Sequence, residues 1–336
     1  MRWGGIMYQP EVYRIALSFM VFSMLCWGSW ANTLKLCPEY RFQLFYWDYV
    51  IGLIVGAVGW GLTLGSFGGT SRPFFADVTQ ASLHSVLLAV TGGVIFNIAN
   101  LLLVAAIDIA GLAVAFPIGI GLALVVGAVS SYLISPKGNP LLLFGGITLV
   151  VAAIVFDAIA YRLRETGRPA TSKRGIAISL IAGVLMGCFY PFVSKSMTSE
   201  RALGPYAAVL FFVIGVAACS MPVNYLLMRK PLDGRDPVSM NGYQRASGTW
   251  HLCGVVGGAI WCTGAVLNFV ASRANIVGPA VSYSIGQGAT MISACWGVFV
   301  WREFTAAPFR SKAFLAWMFV LFLFGLTAIA VAPLFS

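Results

Sequence analysis

The chain has 336 residues, of which 59% are hydrophobic and only 10% charged, and its formal net charge is +10. A soluble domain carries roughly 25% charged residues, so this chain cannot cover itself with polar surface and most of its exterior must face lipid. The positive charge does not indicate nucleic acid, because Lys and Arg sit in short gaps between apolar runs, as they do in membrane proteins.

Cys26, Cys37, Cys188, Cys219, Cys253, Cys262 and Cys295 form no CxxC pair and lie mostly within apolar runs. Buried free Cys acts as a small hydrophobe, so neither a disulfide framework nor a metal site is expected. His84 and His251 are the only histidines and no HExxH is present, which excludes a membrane zinc protease. Arg2, Arg14 and the apolar run that follows, with SWA at 29–31, have the outline of a signal peptide. The internal repeat described below needs that run as a helix.

A bilayer-spanning helix takes about 20 apolar residues. Ten runs qualify: 12–35, 44–66, 82–107, 111–134, 139–161, 174–197, 205–228, 249–273, 277–302 and 311–333. The predicted fold is all-α and integral to the membrane. The longer gaps, 67–81, 162–173 and 229–248, carry the Pro, Ser, Arg and Asp expected of loops.

Span 1 closes on CWGSWANTLK (26–35). At 100° per residue Gly28, Asn32 and Lys35 share a stripe, with Trp27 and Trp30 on a neighbouring face. An interfacial belt explains the tryptophans and the lysine but not the asparagine. Span 2 holds Asp48 within FYWDYV. An unpaired Asp at a helix centre costs about 2.5–3.5 kcal/mol on the insertion scale, so a pairing with Lys35 is expected, as a gate, a proton-linked switch or a static ion pair. In span 3, Asn97, Asn100 and Asp108 share a stripe, and the two asparagines offer donors and acceptors to a neutral polar ligand or to neighbouring helices. Asp108 is read as a structural turn residue. Asp157 is read as a surface ion pair with Arg162 and Arg164, and Arg302 and Glu303 as interfacial anchors of span 9.

The chain repeats itself. GLAVAFPIGIG (111–121) matches GPAVSYSIGQG (278–288), GGVIFN (92–97) matches GGAIWC (257–262), and RIALS (14–18) matches GIAIS (175–179). Spans 1–5 (residues 1–162) thus correspond to spans 6–10 (174–336), joined by a cytoplasmic linker at 163–173. Copies with an odd number of spans run in opposite orientations, the inverted repeat of secondary transporters, whose sites lie at the midplane. About two thirds of the Lys and Arg lie in the gaps after spans 1, 5, 7 and 9, which places that side in the cytoplasm and both termini outside. In span 4, Pro117 is expected to kink the helix. Gly119, Gly121, Gly286 and Gly288 are expected to allow close helix approach. Phe116, Ile120 and Ala123 of the first copy become Tyr283, Gln287 and Thr290 on one face of the second, so one cavity wall is apolar and the other polar. Trp261, Asn268 and Ser272 form a further stripe in span 8.

These repeats resemble the drug/metabolite transporter superfamily. CWGSWANTLKL (26–36), FYWDYVIG (45–52) and TLGSFG (63–68) resemble the bacterial glucose/ribose porter group, related to rhamnose–proton symporters and plant ureide permeases. The resemblance covers nearly the whole chain and implies a cation-coupled permease for sugars, nucleosides, ureides or purine-like rings. The loop 165–174 lacks GxxxxGK[ST], so the nucleotide-binding-like motif of plant ureide permeases is not carried over.

The expected function is proton-coupled uptake of a small neutral polar solute by alternating access, in a bacterial-type inner membrane, by a monomer or homodimer. Trp27, Trp30, Asn32, Asn97, Asn100, Trp261, Asn268, Tyr283, Gln287 and Thr290 are the expected binding residues, and Lys35 and Asp48 the coupling or gating pair. No cofactor is expected; the coupling ion is a proton, with sodium the alternative. Export of amphipathic metabolites or drugs is the competing transport reading. A membrane enzyme on lipid-linked substrates would need His or paired carboxylates at one depth. A lipid scramblase or receptor would leave the expected Lys35–Asp48 pair without a purpose.

Overall fold

The computed structural model describes residues 7–67, 72–164, 172–232, 234–274 and 276–335. In chain order the helices are α1 (Tyr13–Ser29), α2 (Asn32–Lys35), α3 (Phe42–Leu62), α4 (Phe74–Gln80), α5 (Leu83–Ala110), α6 (Leu112–Ile134) and α7 (Pro140–Arg164). They continue as α8 (Lys173–Ser196), α9 (Pro205–Arg229), α10 (Met240–Gln244), α11 (Gly248–Ser272), α12 (Pro279–Gly286), α13 (Ala289–Cys295) and α14 (Phe309–Val331). Among the described residues nine helical segments are long and apolar enough to cross a membrane, α1 and α2 counting as one. The chain is a multi-pass membrane protein. Side chains such as Phe22, Val55, Leu87, Leu226 and Phe324 remain exposed around the bundle, where lipid solvates them at no cost.

Starts of helices follow local chemistry. Ser82, Ser172 and Ser247 each accept a backbone N–H of the first turn of α5, α8 and α11, satisfying a donor that the helix cannot. Pro205 opens α9, where its missing N–H is no loss. The matched glycines Gly111 and Gly278 precede α6 and α12 with φ of 80° and 77°, a backbone region that a side chain disfavours.

The ninth expected span, 277–302, differs from span 4, whose sequence it matches. It divides into α12, a turn at Gln287–Gly288, α13 and a π-helical turn at Trp296–Val300. The proline-containing copy, by contrast, runs through Pro117 as one helix. The GQG sequence explains the position of the break: Gly286 lies against the Trp27 ring and Gly288 against Met24 Sδ. Tyr283, Gln287 and Thr290 therefore do not share one continuous helical face. Gly119 packs against Leu103, as close approach requires, but nothing lies within 4 Å of where a Gly121 Cβ would be, so Gly121 is not a packing glycine.

Helix pairs meet at two glycine crossings with the same spacing. A Cβ on Gly258 would come within 1.9 Å of the Tyr49 carbonyl oxygen, and one on Gly52 within 2.0 Å of that of Val255, where α3 crosses α11. Where α9 crosses α5, a Cβ on Gly93 would meet the Phe212 carbonyl oxygen at 2.0 Å, and one on Gly215 that of Val90 at 2.2 Å. Helices α7 and α14 pair through Gly146 and Gly325, each against the other's carbonyl oxygen. The linker expected at 163–173 and Gly68 of TLGSFG fall largely outside the described residues.

Candidate substrate site

The centre of the bundle is aromatic. Trp27 of α1 stacks on Trp261 of α11 with ring centroids 5.7 Å apart, and its Nε1 donates to the Trp261 carbonyl at 3.2 Å. Trp261 also meets Phe96 at 4.5 Å and lies parallel to Phe212 at 5.9 Å. Trp30 packs on Tyr49 at 4.9 Å, and Tyr49 stacks on Tyr46 at 5.2 Å.

Three asparagines lie in this environment and behave differently. Asn97 of α5 accepts hydrogen bonds at Oδ1 from Tyr46 Oη (2.8 Å) and Ser220 Oγ (2.9 Å), while its buried Nδ2 has no partner at hydrogen-bond distance and has the Cys219 thiol near it. Asn100 donates to the same Tyr46 hydroxyl at 3.3 Å. The hydroxyl of fully buried Tyr49 also has no partner. Asn268 of α11 accepts from Tyr190 Oη at 2.6 Å and donates to the Ser282 carbonyl at 2.9 Å, so both ends of its amide are used within the protein. An unpaired buried donor costs about 1–3 kcal/mol. Asn97 and Tyr49 carry that penalty and Asn268 does not. The sequence-expected residues therefore separate: Trp27, Trp30, Asn97, Asn100 and Trp261 come together, while Asn268 braces the start of α12. Tyr283 hands its hydroxyl to the carbonyls of Ala123 (3.2 Å) and Met186 (3.4 Å), a bond between elements. Thr290 Oγ1 is spent on the Gln287 carbonyl. Gln287 is buried at the helix break.

Lys35 and Asp48 do not pair. Lys35 Nζ lies 2.6 Å from Glu303 Oε1 and over the Trp301 ring. Asn32 accepts from Trp301 Nε1 at 2.6 Å and donates to the Ser29 carbonyl, so its amide is occupied away from the aromatic centre. Ser29 accepts from Trp296 Nε1 at 2.8 Å. Residues 29, 32 and 35 thus form a latch onto 296–303. Glu303 is also held by Arg164 at 2.9 Å and Tyr161 at 3.2 Å. Burial alone would raise the Glu303 pKa; the hydrogen bonds from Lys35 and Arg164 outweigh it and bring it below the ordinary carboxylate value. Glu303 is a latch residue, more than an interfacial anchor.

Asp48 is buried and receives Tyr40 Oη and Tyr243 Oη, each at 2.7 Å. His251 Nδ1 lies 3.0 Å from both of its oxygens. Desolvation and the Asp48 carboxylate push the Tyr243 hydroxyl up to about 12, so it stays a donor at any working pH. Tyr40 is local, eight residues away, whereas Tyr243 and His251 come from α10 and α11, some two hundred residues along the chain. A lone His at the start of span 8, at the depth of Asp48, is the signal in the sequence that could have found this cluster. Asp157 is buried rather than at the surface, its Oδ1 has no partner, and Arg164 bonds Glu303 instead. Asp108 lies in the last turns of α5, not in a connecting turn, and is paired with Arg235 at 3.1 Å.

The ureide permease family matches residues 45–170. Along nearly its full length the chain is similar to Arabidopsis thaliana Ureide permease 4, at 24% identity over 94% of this chain and 96% of that protein. Ureide permease 2 of the same plant is 23% identical over 97% and 98%. One solved crystal structure superposes with a TM-score of 0.64 at 15% identity, covering 93% of this chain and 95% of that one, which shows a shared fold. The chain is thus similar to ureide permeases along nearly its full length. Its relatives are permeases, not enzymes.

Proposed function

We propose that this protein is a secondary permease for a small, flat, neutral polar solute of the ureide or nucleobase type, within the drug/metabolite transporter superfamily. The observation that carries the reading is the unpartnered Asn97 Nδ2 and Tyr49 hydroxyl in an aromatic enclosure of Trp27, Trp30, Trp261 and Phe96. An amide N–H and a phenol donate to the carbonyl oxygens that ureides and heterocycles present, and flat apolar rings cover their faces. The relatives' names point the same way. The mirrored glycine crossings of α3–α11 and α9–α5 support two inverted five-helix copies, and with them alternating access.

Asp48 and His251 are assigned the proton coupling. A carboxylate and an imidazole 3.0 Å apart are placed to pass a proton between them, which supports this assignment. Lys35 acts in the latch to Glu303 instead of on Asp48.

The test is thermal stabilisation of the purified protein by a panel of ureides, nucleobases, nucleosides, sugars and lipophilic cations, since a ligand of the folded state raises the melting temperature by mass action. Stabilisation by ureides or nucleobases, lost in Asn97→Ala, is expected. Stabilisation by lipophilic cations alone would contradict the reading and favour an exporter.

A further inference from the structure

We propose that the end of the bundle opposite the Lys35–Glu303 latch carries an oxyanion-binding pocket, built from Arg72, Arg201 and Arg273, that takes a small carboxylate or phosphate group. The pocket holds about 370 Å³. Besides the three arginines it is lined by Gln9, Asp77 and the turn at 202–204.

Charge is the first argument. Three guanidinium groups face one carboxylate, an excess of two positive charges in one concavity. Only about a third of the Lys and Arg lie at this end, so convergence of three is not explained by membrane topology. Asp77 does not neutralise the excess. It is 1% exposed, accepts the Gly204 N–H at 2.7 Å through Oδ2, and is 3.6 Å from Arg72. Its Oδ1 has no hydrogen-bond partner.

The second argument is unused donor capacity. Arg273 donates one Nη to the Met197 carbonyl, while its buried Nε has no partner. Arg72 donates to the Ala202 carbonyl at 3.2 Å, which holds its side chain across the pocket lip. Guanidinium forks bind carboxylate and phosphate oxygens with paired hydrogen bonds, and a concave site focuses their field. Met7 and Leu203 give the organic part of such a ligand an apolar flank. The pocket goes beyond the neutral-solute reading and does not rest on it. The oxyanion comes either from a free solute or from the headgroup of an anionic lipid.

The full chain is placed in phosphatidylcholine nanodiscs, and its melting temperature is followed against phosphate, acetate and acetamide, with ionic strength held by chloride. Phosphate and acetate should stabilise, and acetamide, the uncharged analogue, should not. Arg72→Gln and Arg201→Gln, both at exposed side chains, should weaken the anions about tenfold, the equivalent of 1.4 kcal/mol. Asp77→Asn, which keeps the acceptor for Gly204, should strengthen them. A second set of nanodiscs includes phosphatidylglycerol. Stabilisation by that lipid which Arg201→Gln removes identifies a headgroup as the source; stabilisation by the soluble anions identifies a free solute. The proposal is overturned if neither source stabilises more than acetamide, or if the stabilisation survives both arginine substitutions.

Discussion

At one end of the bundle, Ser29, Asn32 and Lys35 are bonded to Trp296, Trp301 and Glu303, and Asp48 takes two tyrosine hydroxyls and a histidine. At the other, three arginines surround a pocket with a single buried carboxylate. The first end is closed by matched pairs drawn from distant parts of the chain, and opening it must break several together. The second gathers three positive charges against one negative in a single pocket. Charges paired across distant segments, such as Lys35 with Glu303, hold elements together, whereas a concavity with an excess of one charge is suited to a ligand.

Substitutions sharpen this contrast. The largest effect is expected for Asp48→Asn, which removes the charge that Tyr40, Tyr243 and His251 are arranged around. Hydrogen bonds to charged groups contribute about 1.5–3 kcal/mol, so unfolding in detergent should shift by about 2 kcal/mol and proton-driven uptake should be lost. Glu303→Gln comes next. Its partners are partly exposed, Lys35 at 47% and Arg164 at 23%, which limits the expected loss to about 1 kcal/mol in a denaturation series.

The latch also sets a pH dependence. The Glu303 carboxyl titrates below its ordinary value of 4.5. Its contribution is therefore present above that pH and disappears as pH falls through the lowered folded-state value. Melting temperatures of wild type and Glu303→Gln should converge on acidification. A constant difference would place the effect of Glu303 in packing and not in charge. The smallest effect is expected at the far end, where Arg201→Gln should change stability by less than about 0.5 kcal/mol, because an exposed residue without matched pairs supports no fold contact. A loss equal to that of Glu303→Gln would erase the distinction between the ends.

Much of this was legible in the sequence. Apolar run length located nearly every helix. Asp48 stood out because a carboxylate in an apolar run needs a reason. Its partner did not: Lys35 is near in sequence, but loop geometry sends it to Glu303 while His251 arrives from α11. Helical periodicity placed Asn97 and Asn268 on inward stripes but could not tell the spent amide from the free one, since that depends on Ser282 and Tyr190 in three dimensions. Pro117 drew attention as a kink, yet the break falls in the proline-free copy, where two glycines seat Trp27 and Met24.

The most direct test of the proposed transport is uptake by proteoliposomes under an imposed pH gradient, with labelled ureides and nucleobases as solutes and wild type beside Asn97→Ala and Asp48→Asn. The account expects uptake that collapses when the gradient is dissipated, weakened substrate affinity in Asn97→Ala, and no gradient-driven accumulation in Asp48→Asn. Gradient-driven accumulation by Asp48→Asn equal to that of wild type, or uptake indifferent to Asn97→Ala, would contradict it.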